Sequence, residues 1–152
     1  MIRFFGGRVM TLANGIETQD IEVWTEGSKI VFVGKPKAEE LDGKVFEREY
    51  DLKGNLLMPS FKNAHTHSAM TFLRSYADDM PLQDWLFKQI FPMEAKLDGE
   101  KVYWLTKLAI LEYLTTGCTA AFDMYFELDD YVKACTESGF RSVLCGAVSG
   151  DK

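Results

Sequence analysis

The chain's two histidines fall in one triplet, His65-Thr66-His67. An apolar run beginning Leu56-Leu57-Met58-Pro59 leads to Ala64 and reads as the strand that carries them. In a strand, residues i and i+2 project from one face, so the two imidazoles would stand side by side. Two neutral imidazoles so placed can each give a ring nitrogen to a divalent metal at about 2.0–2.1 Å. Small Ser68 and Ala69 follow and leave room at the strand's end. A His-X-His triplet also occurs in solvated loops; its place directly after an apolar strand is what favours metal. Catalytic zinc usually takes three protein ligands plus water, and the sequence has no third histidine. Asp123, at the end of the next apolar stretch, could serve in principle. A helix N-cap or a strand-end hydrogen bond is the favoured reading for it.

The first third of the chain, which must support that strand, reads as β. Ile2–Thr11 and Ile21–Val33 are rich in Val, Ile, Phe, Trp and Thr, with turn signals at Asn14-Gly15, Gly27-Ser28 and Asp42-Gly43. Ile21, Val23 and Thr25 alternate with Glu22, Trp24 and Glu26, as in a strand with one buried and one wet face. Val45–Leu52 reads as a charged edge strand. Residues 1–55 are therefore expected to form a mostly antiparallel sheet or half of a sandwich.

From Asn55 the pattern becomes α/β. After the histidine strand, Pro81–Ile90 places Leu82, Trp85, Leu86 and Phe87 near a helical period. Asp98 is placed to cap a helix running to Thr116, with Val102, Leu105, Leu108, Ala109 and Leu111 as its apolar face and Gly117 ending it. Cys118–Met124 predicts a buried strand, Glu127–Ser138 a helix stopped by Gly139, and Arg141–Val148 a further buried strand. Strand, helix, strand, helix, strand is the order of parallel βα units. Residues 56–152 hold only about two and a half such units where a closed barrel needs eight, so the sequence reads as the opening part of a longer fold.

Composition narrows the function classes. The 152 residues are 47% hydrophobic and 26% charged, an ordinary globular balance. A net charge of −6 argues against a nucleic-acid backbone or an anionic membrane as partner. No apolar run approaches the roughly 20 residues of a membrane span, and the first residues lack a signal-peptide core. Cys118, Cys135 and Cys145 form no CxxC pair and suit a reducing compartment. A cytoplasmic protein with a small-molecule substrate is the expectation, and a homo-oligomer is left open.

The stretch Met58-Pro59-Ser60-Phe61-Lys62-Asn63-Ala64-His65-Thr66-His67-Ser68-Ala69-Met70 resembles the first metal-binding strand of the amidohydrolase superfamily. Its continuation, Thr71 through Tyr76-Ala77-Asp78-Asp79-Met80-Pro81 to Trp85-Leu86, is similar to the subgroup of 5′-methylthioadenosine/S-adenosylhomocysteine deaminases and chlorohydrolase-like enzymes. Phe122-Asp123-Met124-Tyr125-Phe126 matches the same subgroup, and the leading β segment matches the start of its accessory β-sandwich. The resemblance implies the first strands and helices of a metal-dependent hydrolase (β/α)8 barrel, of TIM type, over 56–152, preceded by part of that sandwich over 1–55. It implies that His65 and His67 are metal ligands for one divalent ion, zinc first, with iron or manganese as alternatives. It implies that Trp85 and Glu94 contact the nucleoside, the aromatic near the ribose and the carboxylate accepting from ribose hydroxyls. Taken alone, Trp85 could equally be a core residue and Glu94 a solvated one. The family's remaining ligands and acid/base residues would lie beyond Lys152, so the 152-residue segment by itself is expected to be inactive.

Three positions depart from the family pattern. Ser60 replaces a usual Gly, and Lys62 replaces an aliphatic residue. Simple alternation from His65 would point Lys62 toward the surrounding helices, where it would have to snorkel. Gly146 stands where adenosine-type members can carry an Arg on the nucleoside's tail. The activity implied is hydrolytic deamination of an adenosine-like nucleoside by a metal-activated water. The alternatives are another C–N or C–Cl hydrolase of the superfamily, acting on guanine, cytosine or a chlorotriazine, and a metal-free scaffold.

Overall fold

The computed structural model describes residues 1–13 and 15–146. Asn14 of the first turn signal and Ala147-Val148 of the last expected strand lie outside the described residues. The chain divides into two compact units, residues 1–59 and 60–152.

The first unit contains two small sheets. One has the order β5-β4-β1-β6, built from β1 (Ile2–Phe5), β4 (Glu22–Glu26), β5 (Lys29–Gly34) and β6 (Arg48–Asp51). The other has the order β3-β2-β7, from β2 (Arg8–Thr11), β3 (Glu17–Gln19) and β7 (Leu56–Leu57). β4 pairs antiparallel with both β1 and β5, and β2 with β3, but β6 joins β1, and β7 joins β2, in parallel. The expected Ile2–Thr11 strand is broken at Gly6-Gly7, and Ile21–Val33 is a hairpin. Trp24, expected on the wet face, is buried instead, stacked on Phe32 at 4.2 Å between ring centroids. A large indole contributes more by burial than alternation costs it. The single turn of helix α1 (Ala38–Leu41) leads to the edge strand.

The apolar run from Leu56 is not one strand. Leu57 pairs with Val9 in the first unit. Pairing then stops at Met58-Pro59-Ser60 and resumes as β8 (Phe61–Thr66) in the second. Pro59 has no N–H to donate to a ladder, which suits it to this break.

The second unit is a three-stranded parallel sheet, β10-β9-β8, with β9 (Cys118–Tyr125) central and β10 (Arg141–Gly146) at one side. Helices α4 (Gly99–Thr115) and α5 (Leu128–Ser138) make the crossovers. Asp98 caps α4 by accepting from the Lys101 N–H at 2.9 Å, and Gly139 ends α5 in the left-handed region at φ 64°. Ala121 and Tyr125 of β9 join Val102 and Ile110 of α4 and Tyr131 and Cys135 of α5 in the core. The expected apolar face of α4 is corrected in part. Val102 and Ala109 are buried, but Leu108 and Leu111 are exposed, and Thr106 and Ile110 take the inner positions.

The expectation that β9 and β10 are buried strands holds for one face of β9 only, and no residue of β10 is fully buried. Phe122 and Met124, with Val143 paired to Phe122, lie on the face away from the helices and are exposed. Lys62 is also exposed. Between Asn63 and Thr66, β8 advances three residues while β9 advances two, from Ala121 to Asp123. That extra residue is a bulge, and it defeats alternation counted back from His65. Lys62 therefore pairs with Ala120 and folds its ammonium onto the Ser60 hydroxyl, at 2.6 Å, and onto Thr119.

Candidate functional site

The site lies where β8 and β9 end. His65 is the penultimate residue of β8, and His67 follows the strand directly, ahead of a 3-10 turn over Ser68–Leu73. Their ring centroids are 5.0 Å apart, with the planes 82° to each other. The Nδ1 of His67 lies 2.8 Å from the Met124 carbonyl oxygen. A carbonyl can only accept, so Nδ1 carries the proton and the Nε2 lone pair is left for an electrophile. Metal-ligating histidines are commonly held in this way. The two imidazoles therefore suit a divalent cation, although among the described residues no third His, Cys, Asp or Glu completes a cluster with them.

Asp123 does not join the histidines. It has no solvent exposure. Its carboxylate accepts from the Tyr131 hydroxyl at 2.6 Å and from the Ser68 N–H at 3.2 Å, the strand-end role favoured from sequence. Burial, then the Asp123 carboxylate, pushes the Tyr131 phenol above its ordinary pKa, so it stays a donor.

Trp85 and Glu94 come from a continuous helical segment. It runs from α2 (Leu82–Asp84) through a π-helical stretch, Trp85–Ile90, into α3 (Phe91–Glu94). At 3.6 residues per turn, positions nine apart would lie about half a turn out of phase. The π stretch, closed by the Phe91 N–H on the Leu86 carbonyl, accommodates one residue more per turn. That takes up roughly 100° and returns Glu94 toward the face of Trp85. Both side chains, half-buried, line one cavity of about 280 Å³ together with His67, Met70, Met124 and Tyr125. Sequence reasoning named three of these residues.

Tyr125 is the residue it missed. Its buried hydroxyl donates to Glu94 at 2.9 Å. Burial first, then the Glu94 carboxylate, holds its phenol above the ordinary pKa. Its place within the matched Phe122–Phe126 stretch was the only available signal. The Met124 carbonyl had none, since every residue has one.

The amidohydrolase family model matches residues 56–150. The chain is similar to the 5-methylthioadenosine/S-adenosylhomocysteine deaminase of Desulfitobacterium hafniense, with 42% identity over 130 residues, 86% of this chain and 30% of that protein. It is similar to the 5′-deoxyadenosine deaminase of Methanospirillum hungatei, with 56% identity over 94 residues, 62% of this chain and 21% of that protein. A crystal structure of an adenosine deaminase from Xanthomonas campestris with bound zinc superposes with a TM-score of 0.86 at 33% identity, covering 93% of this chain and 33% of the other. The chain thus spans about a third or less of the length of these relatives. With the family model covering the histidine strand, both helices and both following strands, the chain belongs to the amidohydrolase family.

Proposed function

We propose that this chain carries part of the metal site and part of the substrate wall of an aminohydrolase that deaminates an adenosine-like nucleoside. The observation that carries the reading is the single cavity shared by His67, Trp85 and Glu94, with His67 oriented by the Met124 carbonyl. In this reading residues 60–152 begin a (β/α)8 barrel, and residues 1–59 are part of an accessory β-sandwich. The relatives named as deaminases of methylthioadenosine, S-adenosylhomocysteine and 5′-deoxyadenosine support the substrate class.

His65 and His67 would hold one divalent metal, zinc by preference, through their ring nitrogens. When bound, the metal would supply a hydroxide nucleophile at neutral pH by lowering the pKa of its water toward about 7. Glu94 accepts hydrogen bonds from the ribose hydroxyls, and Tyr125 fixes its carboxylate in place beforehand. Trp85, with Met70 and Phe126, covers the cavity with apolar surface and excludes bulk water. The remaining ligands and the group that protonates departing ammonia are proposed to follow Lys152.

The test uses the protein at its natural length. It should contain about one metal per chain and release ammonia from methylthioadenosine, S-adenosylhomocysteine or 5′-deoxyadenosine, in preference to guanine, cytosine or a chlorotriazine. His65→Ala or His67→Ala should remove both metal and turnover. Full turnover with Ala at both positions would end the proposal.

A further inference from the structure

Asp123 and the residue after it grip His67 from two sides. The Met124 carbonyl accepts from the ring at 2.8 Å, while the Asp123 carboxylate accepts from the Ser68 N–H, the peptide directly following His67, at 3.2 Å. A carboxylate with no solvent exposure is costly unless its oxygens are engaged. Here Tyr131 of α5 donates to it at 2.6 Å and also lies 3.1 Å from the Ser142 hydroxyl of β10. Ser142 in turn donates to the Ala121 carbonyl. The chain of contacts runs from the second crossover helix, through a buried charge, to the backbone beside a histidine of the site.

We propose that Asp123 is a positioning residue for His67: supported by Tyr131, it fixes the His67–Ser68 peptide so that the ring meets the Met124 carbonyl and presents Nε2 to the metal. The proposal rests on the reading of His67 as a metal ligand. A carboxylate serving only to tie β8 to β9 would affect stability, but not the way the metal is held. Outer partners of ligating histidines typically contribute about 10–100-fold in metal affinity.

The experiment measures metal affinity by chelator competition, and the visible spectrum of the cobalt-substituted protein, at natural length. Asp123→Ala should weaken metal binding about 10–100-fold and alter the cobalt spectrum. Asp123→Asn should restore affinity close to the parent's, because its amide oxygen still accepts from Ser68 and the Tyr131 hydroxyl can turn to accept from its NH2. A folded Asp123→Ala protein with the parent's affinity and spectrum overturns the proposal, whatever its melting temperature. So does Asp123→Asn binding as weakly as Asp123→Ala. Should Asp123→Ala fail to fold, Tyr131→Phe decides: it conserves volume and frees the carboxylate, so weaker binding with a changed spectrum supports the proposal, and parental values overturn it. A parent that takes up no metal overturns the proposed function, and this proposal with it. A metal-loaded parent whose variants are indifferent overturns this proposal alone.

Discussion

Glu94 owes its place to Tyr125, a contact with a measurable consequence. A hydroxyl–carboxylate bond that preorganises a ribose acceptor is worth about 0.5–1.5 kcal/mol when the acceptor is made to search for its geometry. With Glu94 as the proposed ribose acceptor, Tyr125→Phe should raise KM for the nucleoside by about twofold to tenfold while leaving kcat and metal content near parental, as steady-state kinetics would show. Because Tyr125 is held above its ordinary value of 10.0, activity should show no inflection from Tyr125 up to that pH. At this scale the sequence was informative wherever chemistry is written in residue type. His65 and His67 could be named from type and context, whereas Trp85 and Glu94 were singled out only through the family resemblance. The Met124 carbonyl could not, because a backbone acceptor becomes specific only when folding aims it. The Asp123–Ser68 bond was foreseen in kind but not in partner.

Among the elements, helix ends were easier to read than helix phase. Asp98 and Gly117 marked where α4 starts and stops, and Gly139 where α5 stops, through their capping chemistry. Gly139 gives a clean prediction, since a Cβ there would meet no atom within 4 Å. Gly139→Ala should cost about 1 kcal/mol in denaturant unfolding, from the left-handed backbone alone. Gly139→Asn should cost less. The phase of α4 was harder to read because apolar residues occur around most of its circumference, from Tyr103 and Trp104 through Leu114. Packing against β9 and α5, not the pattern, selected Thr106 and Ile110 for the interior. Nor does any residue type announce the bulge in β8, which comes from the register with β9.

On the scale of the molecule, the first unit has its own electrostatic clasp. Arg3 of β1 donates to both oxygens of Glu22 on β4 at 2.7 Å and to Glu49 of β6 at 2.8 Å. Its guanidinium also lies 4.6 Å from the Phe5 ring centre. Three strands are thereby joined through one side chain. Arg3→Met should destabilise the first unit by about 1–3 kcal/mol, because Glu22 keeps only its bond from Trp24. Arg3 holds the Glu22 carboxyl below its ordinary value of 4.5. A depressed carboxylate contributes stability above that value and loses it as pH falls through the lower, folded-state value. Trp24 fluorescence should therefore report acid loosening that sets in below about pH 4.5, and Arg3→Met should flatten that dependence. The sequence suggested a division at residue 55, four residues short of the observed boundary at Pro59. The difference is Leu56-Leu57, whose apolar character spoke for the following strand but whose partners are Arg8 and Val9.

The π-helical stretch between Trp85 and Ile90 has a consequence for length variation. Removing one residue from it would convert the segment into ordinary α-helix and leave eight steps between Trp85 and Glu94. Eight steps at 100° return the two to roughly the relative angle the wider turn now gives them. A one-residue gap here, in a relative or a designed deletion, would thus keep the relative angle of Trp85 and Glu94. The same gap in α4, which has no such slack, would turn every residue beyond it by about 100° and expose the inner face.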